Sequence, residues 1–205
     1  FYYALFGVAF GASLAGRINL LPLVGVVVLA AGVWALPVLD GRVAWTLRRA
    51  LLSRAMLGLV IAGVATLVTF RLANPYAFMG AELWGILPNP RWLGDMASAR
   101  EGVSGRLDSP PNFQWVGRAA YLYPLKDMFL WGMGVASATM AWLGVLWGLQ
   151  QLIGRKINAT QHLLLLAWVV AYFGFMGNQW VMTMRYYLPL YGALAVLGAW
   201  ATWQA

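Results

Sequence analysis

The sequence predicts an all-α fold, a polytopic transmembrane helix bundle of about six membrane spans with one large, partly helical outer loop. Three observations predict it. Hydrophobic residues make up 62% of the 205 residues and charged residues only 10%, where a soluble domain carries roughly a quarter. That leaves too few polar side chains to coat a surface facing water. Apolar stretches also recur at the length, roughly 17 to 25 residues, that takes a helix across hydrocarbon. Finally, one region, 71–122, interrupts the rhythm and holds most of the polar residues.

The apolar runs cover 1–15 (read as truncated), 20–38, 54–70, 126–149, 161–178 and 186–203, and none has an acidic residue in its interior. The chain therefore divides into three spans over 1–70, a loop over 71–122, and three spans over 123–205. The 12 Trp fit the headgroup layers, where an indole keeps its polar edge wet. Phe1 falls inside an apolar run with no basic segment before it, so the chain reads as part of a longer polypeptide, the remainder being its first partner.

Short basic loops set the orientation. One side holds Arg42, Arg48, Arg49, Arg54, Arg155 and Lys156 against Asp40. The other holds Arg17, Arg71, Arg91, Arg100, Arg106, Arg118, Lys126 and Arg185 against Glu82, Asp95, Glu101, Asp108 and Asp127, mostly within one long loop. Long loops count little in this balance, so 39–53 and 150–160 read as cytoplasmic and 71–122 as extracytoplasmic, in a plasma membrane protein. Segment 42–54 mixes Arg42, Arg48, Arg49 and Arg54 with Trp45, Leu47, Leu51 and Leu52, the pattern of a basic amphipathic helix lying on the inner surface. The net charge of +8 is accounted for by topology and lipid headgroups, and no nucleic-acid partner is expected. Asn158-Ala159-Thr160 matches the glycosylation pattern but falls on the inner side.

With no cysteine and a single histidine, His162, neither zinc nor haem is expected. A carboxylate-bound divalent cation such as Mg²⁺ or Mn²⁺ stays compatible with the composition, and no metal ligand is assigned.

The loop carries most of the chemistry. Asn74-Pro75 and Asn89-Pro90 each put a side-chain acceptor before a proline, the start signal of a helix, so short helices are expected near 75–84 and 90–102. Gly102 and Gly105 offer an end to the second, and Asp108-Ser109-Pro110-Pro111-Asn112 reads as a rigid turn. Phe113, Trp115, Tyr121 and Tyr123 return the chain to the membrane surface. Long ordered loops tend to carry function.

Arginine suits phosphate because its planar fork donates parallel hydrogen bonds. Arg71, Arg118 and Arg185 are the candidates for a lipid-linked phosphate, with Tyr121 and Tyr186 beside them. For any one of them the favoured reading is that it reaches headgroups or pairs with Asp95, Glu101 and Asp108. Arg185 stands out, because Met184-Arg185-Tyr186-Tyr187-Leu188-Pro189 puts a cation at a helix entrance, where an unpartnered charge is expensive. Among the carboxylates, Asp95 follows Arg91 by four residues and fits an ion pair. No catalytic base is assigned: Asp108 is the one candidate, and holding the Ser-Pro-Pro turn is its favoured reading.

Several blocks together resemble a family. They are Gly11-x-x-x-Ala15-Gly16-Arg17-Ile18-Asn19; Arg71-Leu72-Ala73-Asn74-Pro75-Tyr76-Ala77-Phe78; Asp108-Ser109-Pro110-Pro111-Asn112-Phe113-Gln114-Trp115; Tyr123-Pro124-Leu125 with Trp131-Gly132-Met133-Gly134; and Arg185-Tyr186-Tyr187-Leu188-Pro189. They resemble the YYY-type polytopic membrane proteins (YYY domain), a group similar to the GT-C superfamily of membrane glycosyltransferases. Arg17 stands where relatives often carry Lys. The resemblance implies a transferase that takes a sugar from a polyprenyl-phosphate donor at the outer membrane face. It also implies that the acidic residue acting as base or metal ligand lies on a first outer loop, upstream of Phe1. The alternative is a non-catalytic multi-span scaffold or accessory subunit, since Gly11, Ala15, Gly58, Ala62, Gly132, Gly134 and Ala136 allow close helix packing under either reading. A transporter ranks third, because no span holds an internal acid.

Overall fold

A computed structural model describes residues 1–35, 45–80, 82, 85–106, 110–154 and 162–204. The described residues are all-helical apart from one isolated bridge between Phe78 and Pro88. The chain forms two compact units, Phe1–Met96 and Ala97–Ala205.

The first unit holds α1 (Tyr2–Gly16), α2 (Leu23–Ala35) and α3 (Trp45–Ala73). Helices α1 and α3 run parallel: Tyr3 lies over Gly58, Gly7 over Ala62 and Gly11 over Thr66. A Cβ on Gly7 or Gly11 would strike the facing helix backbone. Small residues are what let two apolar helices pack when lipid removes the hydrophobic incentive to associate. Only Ala31 of α2 is buried.

Helix α3 corrects one expectation. The basic segment 42–54 does not form a separate in-plane helix: from Trp45 onward it is continuous with the apolar run, in one helix of 29 residues. No Gly or Pro falls between Trp45 and Leu57 to break it, and at about 100° per residue Arg54 projects opposite Arg48 and Arg49. Charge is spread around the helix instead of lying on one face. Residues 42–44 fall outside the described residues.

Helix α4 (Pro90–Ser104) starts as expected, with the Arg91 N–H donating to the Asn89 Oδ1 at 3.0 Å. It ends at Gly105, not Gly102. Gly105 has φ +78°, the Arg106 N–H donates to the Glu101 carbonyl at 3.0 Å, and the Gly105 N–H to that of Gly102 at 3.3 Å. This is the paired bonding of a glycine-terminated helix. The other expected helix, 75–84, shrinks to a 3-10 turn at Pro75–Ala77. The chain beyond it is held by Arg71, as described below.

The second unit holds α5 (Leu122–Asp127), α6 (Val135–Ile153), α7 (Leu163–Met176) and α8 (Leu188–Gln204). The expected continuous span 126–149 is interrupted: a π-helical turn, Met128–Gly132, leads to Gly134 at φ +78° before α6 begins. Helices α6 and α8 run parallel, Gly132 meeting Tyr191 and Ala141 meeting Gly198. Helix α7 returns antiparallel, Trp142 packing on Phe173 at 5.1 Å and Gly148 on Leu166. Leu166, Val169, Tyr172, Leu190, Leu194 and Leu197 form the core, none more than 1% exposed.

The surface is apolar and the one buried charge among the described residues is Arg71. Met56, Val60, Val64 and Val68 of α3 are each at least half exposed, as are Leu146 and Val196 in the second unit. Two segments, Ile18–Ala35 and Trp45–Ala73, are long and apolar enough to cross a membrane. Helices α1, α7 and α8 have 15, 14 and 17 residues. At about 1.5 Å per residue, α7 measures about 21 Å, short of a hydrocarbon core of about 30 Å.

Candidate functional site

Arg71 ends α3 and turns inward, 6% exposed. Its Nε donates to the Gly85 carbonyl at 3.0 Å, and one terminal nitrogen donates to those of Gly80 at 2.9 Å and Glu82 at 2.7 Å. The Phe78 ring lies 5.3 Å from its Cζ. Backbone bonds from Met79 to Leu87 and from Asn89 to Ala77 close the loop around it, and Phe70 supports Phe78 and Trp92. The expectation that Arg71 presents its fork to a phosphate is therefore corrected. Its donors gather the carbonyls of Gly80, Glu82 and Gly85, in the stretch where a helix over 75–84 was expected.

Asp95 likewise takes a partner other than the one expected. It accepts a hydrogen bond from the Tyr76 hydroxyl at 2.9 Å, and this bond, with the nearby negative charge, raises the Tyr76 phenol above its ordinary value.

The remaining candidates lie at one end of the second unit, where α5 and α8 begin and α7 finishes. Arg118 is exposed, its Cζ 4.8 Å from the centre of the Tyr123 ring, and Trp115 packs on that ring at 6.0 Å. Arg185, also exposed, sits in the 3-10 turn Met184–Tyr186 with its Cζ 5.3 Å from the Tyr186 ring. A cation over a tyrosine face is held by the ring quadrupole, worth about 0.5–1 kcal/mol when exposed.

Tyr121 joins the two cations. At φ 61° and ψ −48° it is the one described non-glycine residue with positive φ. The Leu122 N–H closes a γ-turn onto the Ala120 carbonyl at 2.6 Å, a strained turn in its positive-φ form. The strain is offset by anchoring to α7. The Tyr121 N–H donates to the Gly177 carbonyl and its hydroxyl to that of Gly174, both at 3.0 Å, with its ring against Gly177. Phe173 touches both Tyr121 and Tyr187, at 6.0 and 6.1 Å. The Tyr172 hydroxyl donates to the Tyr186 carbonyl at 2.9 Å. One turn of α7 thus carries the Arg118 loop on one side and the Arg185 turn on the other.

Trp180 was not singled out from the sequence. Its Nε1 donates to the Asn112 carbonyl at 3.2 Å and its ring fills the space a side chain on Gly105 would need. The Val181 N–H donates to the Val103 carbonyl and Asn112 Nδ2 to that of Gly102, both at 3.2 Å. These bonds tie the end of α4 to the α7–α8 connection. The signal in the sequence was a tryptophan placed in a connection between two apolar runs.

Asp108, the candidate base, lies outside the described residues, as do Arg42, Arg155, Lys156 and the Asn158–Thr160 triplet. Among the described residues no group of three or more His, Cys, Asp or Glu gathers into a cation cage. Protein-family models, curated proteins and solved structures yield no match to this chain.

Proposed function

We propose that the chain is part of a six-span integral membrane glycosyltransferase of the GT-C kind, taking a sugar from a polyprenyl-phosphate donor at the outer face. The observation that carries the phosphate part is the pairing of Arg118 with Tyr123 and Arg185 with Tyr186 at one end of the second unit, joined through Tyr121 and Phe173. Stacked guanidinium groups at a helix-bundle mouth suit an anionic headgroup whose tail stays in lipid. Membrane crossing is supported by the exposed apolar sides of α3, α6 and α8. The short α7 is accommodated by local thinning of the bilayer at modest cost per ångström. The sugar-transfer part rests on the sequence resemblance alone.

In that reaction an acceptor hydroxyl oxygen attacks the anomeric carbon as the carbon–oxygen bond to the lipid phosphate breaks. The phosphate leaves with the electron pair, and a carboxylate takes the hydroxyl proton. Asp108 is the candidate in this chain. Arg118 and Arg185 stabilise the charge that develops on the departing phosphate.

The test is sugar transfer from a polyprenyl-phosphate donor in proteoliposomes, comparing the wild type with Arg185→Met. Loss of transfer with unchanged extraction and folding supports the assignment. Unchanged transfer removes Arg185 from the site, and no transfer by a wild type that stably co-purifies with a fixed partner would favour the scaffold reading.

A further inference from the structure

Asp127 is the last acidic residue of the sequence, and the reaction described above gives it no task. It ends α5 half-buried, at the point where the helix widens: the Met133 N–H donates to the carbonyl of Met128, five residues back, at 2.9 Å. Turns of this pitch are rare and recur at functional sites. The widened turn brings Gly132 against the first turn of α8, where the Tyr191 hydroxyl rests on it and a side chain would strike that oxygen. The Tyr191 hydroxyl oxygen is buried and has no hydrogen-bond partner among the described residues. A buried hydroxyl left unsatisfied is costly, and phenylalanine would fill the same space without that cost. Packing therefore does not account for the oxygen.

Asp127 lies close enough for its charge to act on this phenol, yet the two do not bond directly. An ionised carboxylate only accepts, while a phenol has a proton to donate. Adjacent hydroxyls of one sugar ring answer both demands, one accepting from Tyr191 and its neighbour donating to Asp127. Trp131, four residues beyond Asp127 and 77% exposed, offers an aromatic face to the apolar side of such a ring. A cation is the poorer fit, since no further His, Cys, Asp or Glu among the described residues joins Asp127 to form a cage. The position also suits a sugar attached to phosphate. Tyr123, which carries the Arg118 guanidinium, precedes Asp127 by one turn of α5, about 6 Å at 1.5 Å per residue.

We propose that Asp127 and Tyr191 hold the hydroxyls of the sugar on a lipid-linked donor whose phosphate is taken by Arg118. Both are positioned as specificity-determining groups: they distinguish a glycosylated lipid phosphate from a bare one. The inference rests on the donor reading given under Proposed function and adds the side chains that select the sugar.

The experiment offers the full chain, in nanodiscs, bare polyprenyl phosphate against polyprenyl phosphates carrying glucose, mannose or galactose, and scores retained lipid by native mass spectrometry. The wild type is expected to retain at least one glycosylated lipid about tenfold better than the bare phosphate, as hydrogen bonds to a charged group allow. Asp127→Asn and Tyr191→Phe are expected to erase that preference while still retaining bare polyprenyl phosphate, and Arg118→Ala to weaken glycosylated and bare lipid alike. Tyr191→Phe is also expected to melt no lower than the wild type, whereas a purely structural hydroxyl would lower the melting temperature when removed. Retention of bare polyprenyl phosphate with no gain from any of the three sugars overturns the inference and leaves the donor-phosphate reading standing. A preference that survives both substitutions overturns it too. No selection of polyprenyl phosphate over polyprenol overturns the donor reading itself. If Asp127→Asn does not fold, Tyr191→Phe decides: an unchanged sugar preference in that variant overturns the inference.

Discussion

Arg71 and Arg118 share a side chain, and sequence reasoning gave them the same task, yet the two units use them in opposite ways. Arg71 is buried and spends its donors on three backbone carbonyls. Arg118 is exposed and leans on a tyrosine face. The first gathers the carbonyls of its own loop, while the second rests on the Tyr123 ring. The lesson is that an arginine near a membrane surface declares its role by the company of its N–H groups, which local sequence spacing does not encode.

The largest expected effect breaks the comparison at Arg71. Arg71→Leu would leave the carbonyls of Gly80, Glu82 and Gly85 without their donor, costing on the order of 2–4 kcal/mol. Thermal unfolding in detergent is expected to fall sharply, whatever happens to function. Arg118→Ala and Arg185→Met are expected to shift stability by under about 1 kcal/mol while removing donor binding. If Arg71→Leu unfolds normally and loses only donor binding, the two arginines were equivalent after all.

Helix packing supplies the next contrast. A side chain on Gly144 would strike the Leu197 backbone, whereas Gly174 has nothing within 4 Å. Gly144→Val is therefore expected to lose about 1–3 kcal/mol, and Gly174→Ala to stay within about 0.5 kcal/mol. Tyr121→Phe loses the hydroxyl bond to Gly174, about 1 kcal/mol, and loosens the Arg118 loop. Its donor affinity is expected to fall more than its melting temperature.

The smallest effect concerns Tyr76 and Asp95. Because the phenol is raised above its ordinary value of 10.0 in the folded state, its contribution is fully present below that pH. It is lost only as pH climbs through the raised value. Ultraviolet titration is expected to show Tyr76 ionising later in the wild type than in Asp95→Asn.

Much of the fold was legible. Each of the six apolar runs carries a helix, and Asn89-Pro90 and Gly105 bound α4, because capping chemistry is local. The sequence did not reveal that 45–54 continues into α3, since a basic amphipathic surface helix and a basic helix end share composition. The interruption at Met128–Gly134 was hidden because apolar residues continue through it. At the site, Arg118, Tyr121, Arg185 and Tyr186 were nameable from residue type. Their assembly on one turn of α7 depends on contacts between separated positions, 53 apart from Tyr121 to Gly174 and 14 apart from Tyr172 to Tyr186, which no local pattern carries.

The most direct measurement is lipid retention by the purified wild type offered polyprenyl phosphate and unphosphorylated polyprenol together. The account predicts at least roughly tenfold selection of the phosphate, lost in Arg118→Ala with Arg185→Met though both variants stay folded. Equal retention of the two lipids, or selection that survives both substitutions, would contradict it.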